Sequence, residues 1–347
     1  MVAGRKIRVL VVDDSMVART LIINGLNAKP NIEVIGYAIN AIDAKNKVKQ
    51  LRPDVMTLDV QMPGMSGLDF LKTLLPEYPL PVVLVSALNL GVFDALHAGA
   101  VDFVRKPDKD ISNAMFVETL AQKVNIASRA KVQRATAAST AAASASPAAL
   151  LGGAVTGRIV IGLGASTGGT EATLEVMKRL PEDIPGMVIV QHMPTGFTKI
   201  YAERLNKLCR MEVREAKDGD DVRRGLALIA PADLQCRIVR SPLGGYKVSC
   251  TRGERVSGHR PSVDALFRSM AENVRCQMVG IIMTGMGRDG ADGLLAMKKK
   301  GAYTIGQDED SCVVYGMPRA AYEIGAVITQ APCKDIAAAL LRQLRTR

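Results

Sequence analysis

IRVLVVDD, residues 7–14, is a run of β-branched and aliphatic residues that ends in two carboxylates, and it decides the fold of the first part of the chain. Four further runs of this kind follow, each after a helix-like amphipathic segment: IEVIGYAI, DVMTLDV, PVVLVSA and VDFVRK. Apolar strands that alternate with helices are typical of a parallel sheet covered on both faces. The sequence therefore predicts a doubly wound α/β domain over residues 1–125.

The same alternation returns further along the chain, in the segments RIVIGLGAS, MVIVQHM, MVGIIMT and AYTIGQ. Between them, residues 209–256 contain short strand-like pieces (LALIA, CRIVR, YKVSC) and glycine-containing turns, which predict a β-hairpin region inserted into a second doubly wound parallel sheet. Residues 126–154 are rich in alanine and serine and cannot build a core, so they are predicted to form a linker. The second domain is then expected over residues 155–347.

Composition excludes several classes of protein. No apolar run reaches the roughly 18 residues of a membrane helix, and the N-terminus leads into a strand rather than a signal peptide, so we expect a cytoplasmic protein without membrane insertion. The six cysteines lack metal-ligand spacing and are expected to be reduced, buried thiols. Nearly all of the net charge of +11 arises beyond residue 125 and is spread out there, which favours an acidic partner surface over nucleic acid.

Polar residues stand at the strand ends of the first domain. Asp13 and Asp14 follow the first strand, Asp59 ends the third, Ser86 ends the fourth and Lys106 follows the fifth. Parallel strands bind ligands at their carboxyl ends, so these side chains are expected to converge. Three converging carboxylates repel one another unless a hard cation such as Mg²⁺ binds between them. A lysine at the same edge adds a positive charge that can bind a phosphoryl group. The alternative is that these aspartates only cap helices, but the five polar residues would then stand at the strand ends by coincidence.

This pattern resembles the receiver domain of two-component response regulators, a flavodoxin-like fold, in the DD pair, the segment LDVQMPGMSG, the hydroxyl residue of VSA and the KP pair. The resemblance covers about the first 120 residues and implies a histidine kinase as phosphodonor. It implies roles for seven residues: Asp59 as phosphoacceptor; Asp13, Asp14, Asp59 and the Gln61 carbonyl as Mg²⁺ ligands; Ser86 and Lys106 at the phosphoryl oxygens; and Phe103 as the switch aromatic. One departure is Asn40-Ala41, where the family often has an Asp-Gly turn.

The glycine-rich segment GLGASTGGT, residues 162–170, lies between a predicted strand and a predicted helix. A dinucleotide-binding fingerprint would need glycine where Thr167 stands, and a phosphate-binding loop would need a Gly-Lys pair that is absent. Residues 164–168 instead form a GxSxG arrangement, in which small neighbours expose a serine at a tight strand-to-helix turn. This arrangement makes Ser166 the candidate nucleophile.

A serine nucleophile needs a base and a carboxylate that orients the base. Of the three histidines, His97 is expected at the surface, while His192 ends the strand one βα unit after the serine and is the favoured base. His259 follows the hairpin region and remains the competing base. Asp289, just after MVGIIMT, is the best-placed carboxylate, and Asp292 is its rival. The alternative for each residue alone is a helix cap or a loop hydrogen bond.

The downstream region resembles the catalytic domain of the chemotaxis protein-glutamate methylesterases, the CheB family, in the segments GLGASTGGTE, VQHMP, GHRPSVDALF, MTGMGRDGADG and GQDEDSCVVYGMPRAA. The resemblance spans residues 158–322 and implies a Ser166, His192, Asp289 triad. It also implies that the backbone amides of Met286 and Thr167 are oxyanion donors. The implied reaction is hydrolysis of glutamate methyl esters, and deamidation of glutamines, on chemoreceptors, by a monomer with no cofactor in the esterase site.

The order of the two domains predicts control of the second by the first. If the receiver face built from its fourth and fifth strands packs over the cleft of the serine, it would block substrate until phosphorylation changes that face. Two rival functions remain open: a DNA-binding response regulator, which the basic isoelectric point and the domain order suggest, and a catalytically silent adaptor or phosphate sink. The segment beyond residue 155 is longer than typical DNA-binding output domains and has no compact helix-turn-helix pattern.

Overall fold

The computed structural model describes residues 5–87, 91–132 and 159–345. The chain divides into two compact units, residues 1–141 and residues 142–347. Most of the predicted linker, residues 133–154, lies outside the described residues.

The first unit is a parallel sheet with connecting helices. Its five strands are β1 (Ile7–Val12), β2 (Ile32–Ala38), β3 (Val55–Asp59), β4 (Val82–Ser86) and β5 (Asp102–Arg105). Its five helices are α1 (Met16–Asn27), α2 (Ala41–Leu51), α3 (Gly67–Leu74), α4 (Gly91–His97) and α5 (Asn113–Ala127). The strand order β2-β1-β3-β4-β5, parallel throughout, confirms the predicted doubly wound, flavodoxin-like class. Every residue of β3 and β4 is buried, because helices cover both faces of the sheet.

Short polar side chains begin four of these helices. The residues at the caps of α1, α2, α3 and α5 each accept a hydrogen bond from the backbone amide three positions on: Ser15, Asn40, Ser66 and Ser112. Such caps satisfy amides that the helix leaves without partners. Asn40, which stands where the family often has an Asp-Gly turn, therefore still caps α2. Helix α5 continues to the fully buried Ala127, two residues beyond the domain end expected from the sequence.

The second unit is built on a larger parallel sheet. Its seven strands are β6 (Ile159–Ala165), β7 (Met187–Gln191), β8 (Glu212–Glu215), β9 (Leu226–Ile229), β12 (Gln277–Ile282), β13 (Tyr303–Gln307) and β14 (Thr329–Ala331). The helices are α6 (Gly169–Met177), α7 (Phe197–Leu208), α8 (Val263–Asn273), α9 (Ala291–Lys299), α10 (Met317–Glu323) and α11 (Cys333–Arg345). Two further strands, β10 (Gln235–Arg240) and β11 (Tyr246–Thr251), pair with each other in an antiparallel hairpin.

The hairpin region differs in extent from the prediction. The piece LALIA contributes β9, which pairs in parallel with β7 in the main sheet rather than joining the hairpin. Burial explains the difference, since all four residues of β9 are buried while β10 and β11 carry exposed and half-buried positions. Strand β8 was not predicted at all, because its sequence EVRE is a charged, half-exposed edge strand without an apolar run.

The order of the main sheet places its switch point between β6 and β12. The full order is β14-β13-β12-β6-β7-β9-β8. From β6 the chain proceeds outward in one direction to β7, and from β12 it proceeds outward in the other direction to β13 and β14. Ligands of doubly wound sheets bind at such a point, outside the carboxyl ends of the strands. The residues that follow β6, β7 and β12 therefore occupy the favoured edge.

Two expectations from composition can be compared with the structure. None of the six cysteines forms a disulfide, but only half of them are buried, and the other three are half-buried: Cys209, Cys276 and Cys333. The expectation of six buried thiols was therefore wrong for those three. None of the helices in the described part of the chain combines the length and apolar character that a membrane crossing needs.

Candidate active site

Ser166 lies at the turn between β6 and α6. Its backbone amide donates to Thr284 O at 3.0 Å, and its carbonyl accepts from Gly169 N at 2.7 Å. Gly168 adopts a φ of 74°, and a side chain there would collide with Val313, so the turn requires glycine. The serine is only 8% exposed. The sequence thus holds a hydroxyl in a tight, mostly buried turn at the N-terminal end of a helix.

His192 lies beside Ser166, on the neighbouring strand end. Ala165 and Gln191 are paired across β6 and β7, and His192 N donates to Ala165 O at 3.1 Å. The serine and the histidine each follow directly after this pair. Adjacent strands are about 4.8 Å apart, so the two side chains leave the same edge as neighbours.

Asp289 contacts the His192 ring at Nε2. The His192 Nε2 and Asp289 Oδ2 atoms are 2.9 Å apart, although 97 residues separate them in the chain. His192 Nδ1 is buried and has no hydrogen-bond partner within the described residues. In the tautomer that donates Nε2–H to the carboxylate, the lone pair of Nδ1 is free to accept a proton. The pair thus has the form of a base and its orienting carboxylate.

The N-terminus of α8 holds Asp289 in place. Asp289 Oδ1 accepts from Ser262 Oγ at 2.7 Å and from Asp264 N at 3.0 Å, while Oδ2 also accepts from Val263 N at 2.8 Å. Burial acts to raise the pKa of Asp289, but the hydrogen bonds from His192, Ser262 and Asp264 outweigh it, so this pKa lies below its usual value. The carboxylate is therefore ionised and rigidly oriented.

The loop after β12 packs directly against the serine. A side chain at Gly285 would come within 2.7 Å of Ser166 Cβ, so glycine is required for this approach. The amide of Met286, a predicted oxyanion donor, has no acceptor among the backbone carbonyls of the described residues. Thr284 braces the loop, since its Oγ1 donates to Thr167 O at 3.0 Å and its amide donates to Gln307 Oε1 at 2.9 Å.

Thr167, the second predicted oxyanion donor, is 1% exposed. The preceding carbonyl, of Ser166, accepts from Gln191 Nε2 at 2.8 Å as well as from Gly169 N. A trans peptide directs its C=O and its N–H to opposite sides. Gln191 therefore sets the direction in which the Thr167 amide hydrogen points.

The rival residues occupy different positions. The His259 ring is stacked on the His192 ring, with centroids 3.9 Å apart and planes 9° from parallel. Asp292 lies at the surface and pairs with Arg288 at 2.9 Å and with Arg268 at 3.8 Å. His97 ends α4 in the first unit. The hydrogen bond to Asp289, 2.9 Å long, is made by His192.

The first unit gathers a second set of polar residues at its own strand ends. Oxygen atoms of Asp13, Asp14 and Asp59 lie within 4.8 Å of one another. Lys106 Nζ is 2.6 Å from Asp59 Oδ2 and 3.0 Å from Asp13 Oδ2. Asp13 Oδ2 is buried, and its contact is the Lys106 ammonium. Three carboxylates that converge in this way are ligands suited to a hard cation.

Burial governs the charges of this cluster. Burial raises the pKa of Asp59, and the hydrogen bond and charge of Lys106 offset only part of the increase. Burial acts to lower the pKa of Lys106, but the two carboxylates outweigh it and leave that pKa raised. The lysine is therefore a permanent cation beside carboxylates that lack a full complement of positive charge.

The other predicted residues of this site surround the cluster. Ser86 ends β4, is 1% exposed, and donates from Oγ to Ala87 O at 2.9 Å. Gln61 N donates to Asp59 Oδ1 at 3.1 Å. Phe103 is buried in β5 and packs edge-on against Phe93 of α4, with ring centroids 6.2 Å apart. A hydroxyl at one strand end and an aromatic on the next strand are thus available to respond to a change at Asp59.

A family model described as CheB methylesterase matches residues 161–340, more than half of the chain. The chain belongs to the CheB methylesterase family. A second model, described as response regulator receiver domain, matches residues 9–115 of this CheB-family chain.

Two curated relatives match the CheB-family chain over nearly its whole length. A protein-glutamate methylesterase/protein-glutamine glutaminase 2 of Syntrophomonas wolfei is 50% identical over 340 residues, covering 97% of this chain and 98% of that protein. A protein-glutamate methylesterase/protein-glutamine glutaminase of Syntrophotalea carbinolica is 48% identical over 332 residues, covering 92% and 93%. The crystal structure of the Thermotoga maritima CheB methylesterase catalytic domain is 34% identical, with a TM-score of 0.52, and covers 54% of this chain and 99% of that one.

The structure of this CheB-family chain also reveals site residues that the sequence did not suggest. Ser262 and Asp264 lie in the segment GHRPSVDALF. A serine before an apolar helix, as at Ser262, is typical of a helix cap. Asp264 is fully buried and accepts from Gly293 N at 2.7 Å and Ser257 Oγ at 2.8 Å. Burial raises its pKa, and the charge of Asp289 adds to the increase. Gln191 and Gln307 gave no signal, because their role depends on backbone groups distant in sequence.

Proposed function

We propose that the second unit is a serine hydrolase that removes methyl esters from glutamate side chains of chemoreceptors and deamidates receptor glutamines. The observation that carries this proposal is the Asp289–His192 pair, in which His192 Nδ1 is buried and without a partner and the His192 backbone lies beside the turn of Ser166. The names of the relatives support the substrate class. The downstream excess of basic residues suits an acidic, glutamate-rich partner.

The proposed reaction passes through an acyl-enzyme. Ser166 Oγ attacks the ester carbonyl while His192 Nδ1 accepts the serine proton, and Asp289 stabilises the resulting imidazolium. The Met286 and Thr167 amides stabilise the oxyanion. The imidazolium then returns its proton to the leaving methoxide, which departs as methanol. Water, deprotonated by the same nitrogen, hydrolyses the acyl-enzyme to glutamate, and ammonia replaces methanol when the substrate is glutamine.

The first unit is proposed to accept a phosphoryl group on Asp59 from a histidine kinase. Asp13, Asp14, Asp59 and the Gln61 carbonyl would hold Mg²⁺, a fit supported by three carboxylates whose oxygen atoms lie within 4.8 Å of one another. The cation would supply charge neutralisation during phosphoryl transfer. Ser86 and Lys106 would bind the phosphoryl oxygens, and movement of Ser86 would release Phe103 to rotate.

Phosphorylation of Asp59 is proposed to relieve a restraint that the receiver imposes on the hydrolase. The setting would be the cytoplasm, where kinase and receptor helices meet, and the active species would be a monomer without a nucleic-acid partner. The DNA-binding alternative finds no support in the matched family models, which describe a receiver and a methylesterase.

Methanol release from methylated receptor tests the activity and its control together. We expect the full chain to release methanol about tenfold faster with acetyl phosphate present, the size of a typical coupling energy between two sites. A fragment of residues 156–347 should release methanol at the faster rate with or without the phosphodonor. Equal rates in all three preparations would contradict the control, and no methanol in any of them would contradict the hydrolase.

Replacement of Asp289 by asparagine is expected to lower kcat by about 10³- to 10⁴-fold, because the amide cannot stabilise the His192 imidazolium and favours the wrong tautomer. Its NH2 would also face the donors of α8, lowering the free energy of unfolding by roughly 1–3 kcal/mol. The matched control is Asp292→Asn, which changes an exposed ion pair and should leave kcat unaltered. A comparable loss in both variants would exclude the orienting role of Asp289.

A further inference from the structure

His259 and His192 form a stacked pair of rings in the second unit. Their centroids are 3.9 Å apart and their planes differ by 9°. His192 is the residue that Asp289 binds, through Nε2. We propose that His259 is a positioning residue that holds the plane of the His192 ring, so that Nδ1 points at Ser166. This inference rests on the proposed hydrolase function.

The hydrogen bond to Asp289 leaves one freedom of the base uncontrolled. A hydrogen bond fixes the direction from Nε2 to Oδ2, 2.9 Å long, but the ring can still tilt about that line. A flat ring stacked on one face removes the tilt, because offset or parallel contact is lost when the planes diverge. The position of Nδ1 is then defined. A misplacement of about 1 Å in such a group costs on the order of 100-fold in rate.

A tight turn presents His259 to His192. Val256 N donates to His259 O at 3.1 Å, and His259 N donates to Val256 O at 2.9 Å. The two residues between them, Ser257 and Gly258, have φ values of 51° and 81°. A non-glycine residue in the left-handed region persists only where its surroundings hold it, and such strain gathers at functional sites. The turn therefore displays the imidazole in a defined direction.

Buried polar groups anchor this turn. Gln235 is fully buried, and its Nε2 donates to His259 O at 3.0 Å and to Glu254 O at 2.9 Å. The buried Asp264 carboxylate accepts from Ser257 Oγ at 2.8 Å. Breaking either anchor would remove a hydrogen bond from a buried polar group, which is unfavourable. The exposed loop is thus rigid where it carries His259.

The same helix end supports both neighbours of His192. Gln235 Oε1 accepts from Ser262 N at 3.0 Å, and Ser262 Oγ donates to Asp289 Oδ1 at 2.7 Å. The N-terminus of α8 therefore binds the carboxylate that contacts His192 Nε2 and, through Gln235, supports the turn that carries the stacked ring. A hydrogen bond at one nitrogen and a stacked ring on one face together hold the imidazole in the defined orientation that a catalytic base needs.

Three substitutions in the full chain, activated with acetyl phosphate, test the role. His259→Phe keeps a flat ring, His259→Gln keeps polarity without a ring, and His259→Ala removes both. We expect the Phe variant to keep kcat within about threefold, since ring stacking survives. The Gln and Ala variants should lose about 10- to 100-fold in kcat with KM unchanged, because only the aim of the base is altered. Methanol release from methylated receptor gives both constants, and thermal unfolding checks each fold.

The other outcomes overturn the proposal. A Gln variant more active than the Phe variant would mean that a polar contact, not stacking, matters. A raised KM with unchanged kcat would make His259 a substrate contact, and an Ala variant as inactive as Ser166→Ala would make it the base itself. Equal kcat in all variants of an active parent would remove the positioning role alone. A parent that releases no methanol would overturn the hydrolase, and this inference with it.

Discussion

Replacement of Ser166 by alanine is expected to lower the rate of methanol release by about 10⁵- to 10⁶-fold, the loss typical of removing a serine nucleophile. The substitution removes only the attacking oxygen. The Ser166 backbone keeps its bonds to Thr284 O, Gly169 N and Gln191 Nε2, so the turn and the free energy of unfolding should be retained. Deamidation of receptor glutamine should fall by the same factor, because both reactions use one nucleophile.

The matched control is another buried serine of the same unit. Ser269 is 4% exposed, donates from Oγ to Leu266 O at 2.6 Å and accepts from Ile238 N at 2.9 Å. Ser269→Ala should lower the free energy of unfolding by about 1–2 kcal/mol while the activity persists. Stability and chemistry are thereby separated. Methanol release by Ser166→Ala at the rate of the unchanged chain would favour a silent adaptor or a different nucleophile.

Replacement of Asp59 by asparagine is expected to abolish phosphorylation of the chain by acetyl phosphate or a histidine kinase. The amide is a far weaker nucleophile than a carboxylate, and it removes one of the negative charges that attract the cation. Methanol release should continue at the unstimulated rate and no longer respond to the phosphodonor. Incorporation of radioactive phosphate and the methanol assay give the two readouts.

The control for this substitution lies at the opposite end of the same strand. Asp54 directly precedes β3 and accepts from Arg8 N at 2.9 Å, whereas Asp59 ends the strand. Asp54→Asn keeps an oxygen acceptor for Arg8 and should accept phosphate normally. Full labelling of Asp59→Asn would show that the acceptor lies elsewhere in the chain.

Most of the architecture was predictable, because both sheets are parallel and buried. Strands such as β3 and β6 are buried at every position and appear in the sequence as uninterrupted apolar runs. The exceptions follow the same logic. Strand β8 is a charged edge strand, and β9 could not be told from the hairpin strands by its apolar run alone, since only its partner β7 distinguishes it.

The candidate sites were predictable to the extent that they lie at strand ends. Asp59 and Ser86 end strands of the first sheet, and Ser166 and His192 follow strands of the second. Within each doubly wound sheet, the topology brings such residues to the same edge. Residues that act from elsewhere gave weaker signals or none. Gln191 binds the Ser166 carbonyl, 25 residues away in the chain, and Gln235 binds the Glu254 carbonyl, 19 residues away. No periodic pattern in the sequence indicates such contacts.

The sequence by itself determined the two parallel-sheet units and the chemical groups at their strand ends, because burial imposes apolar runs and each strand end exposes the residue that follows it. Only the tertiary structure identified His192, and not the competing His259, as the partner of Asp289. The two rings are stacked on each other with their centroids 3.9 Å apart. The choice depends on which imidazole edge meets a carboxylate 97 residues away. That contact depends on the packing of β7, β12 and α8, which no local pattern in the chain specifies.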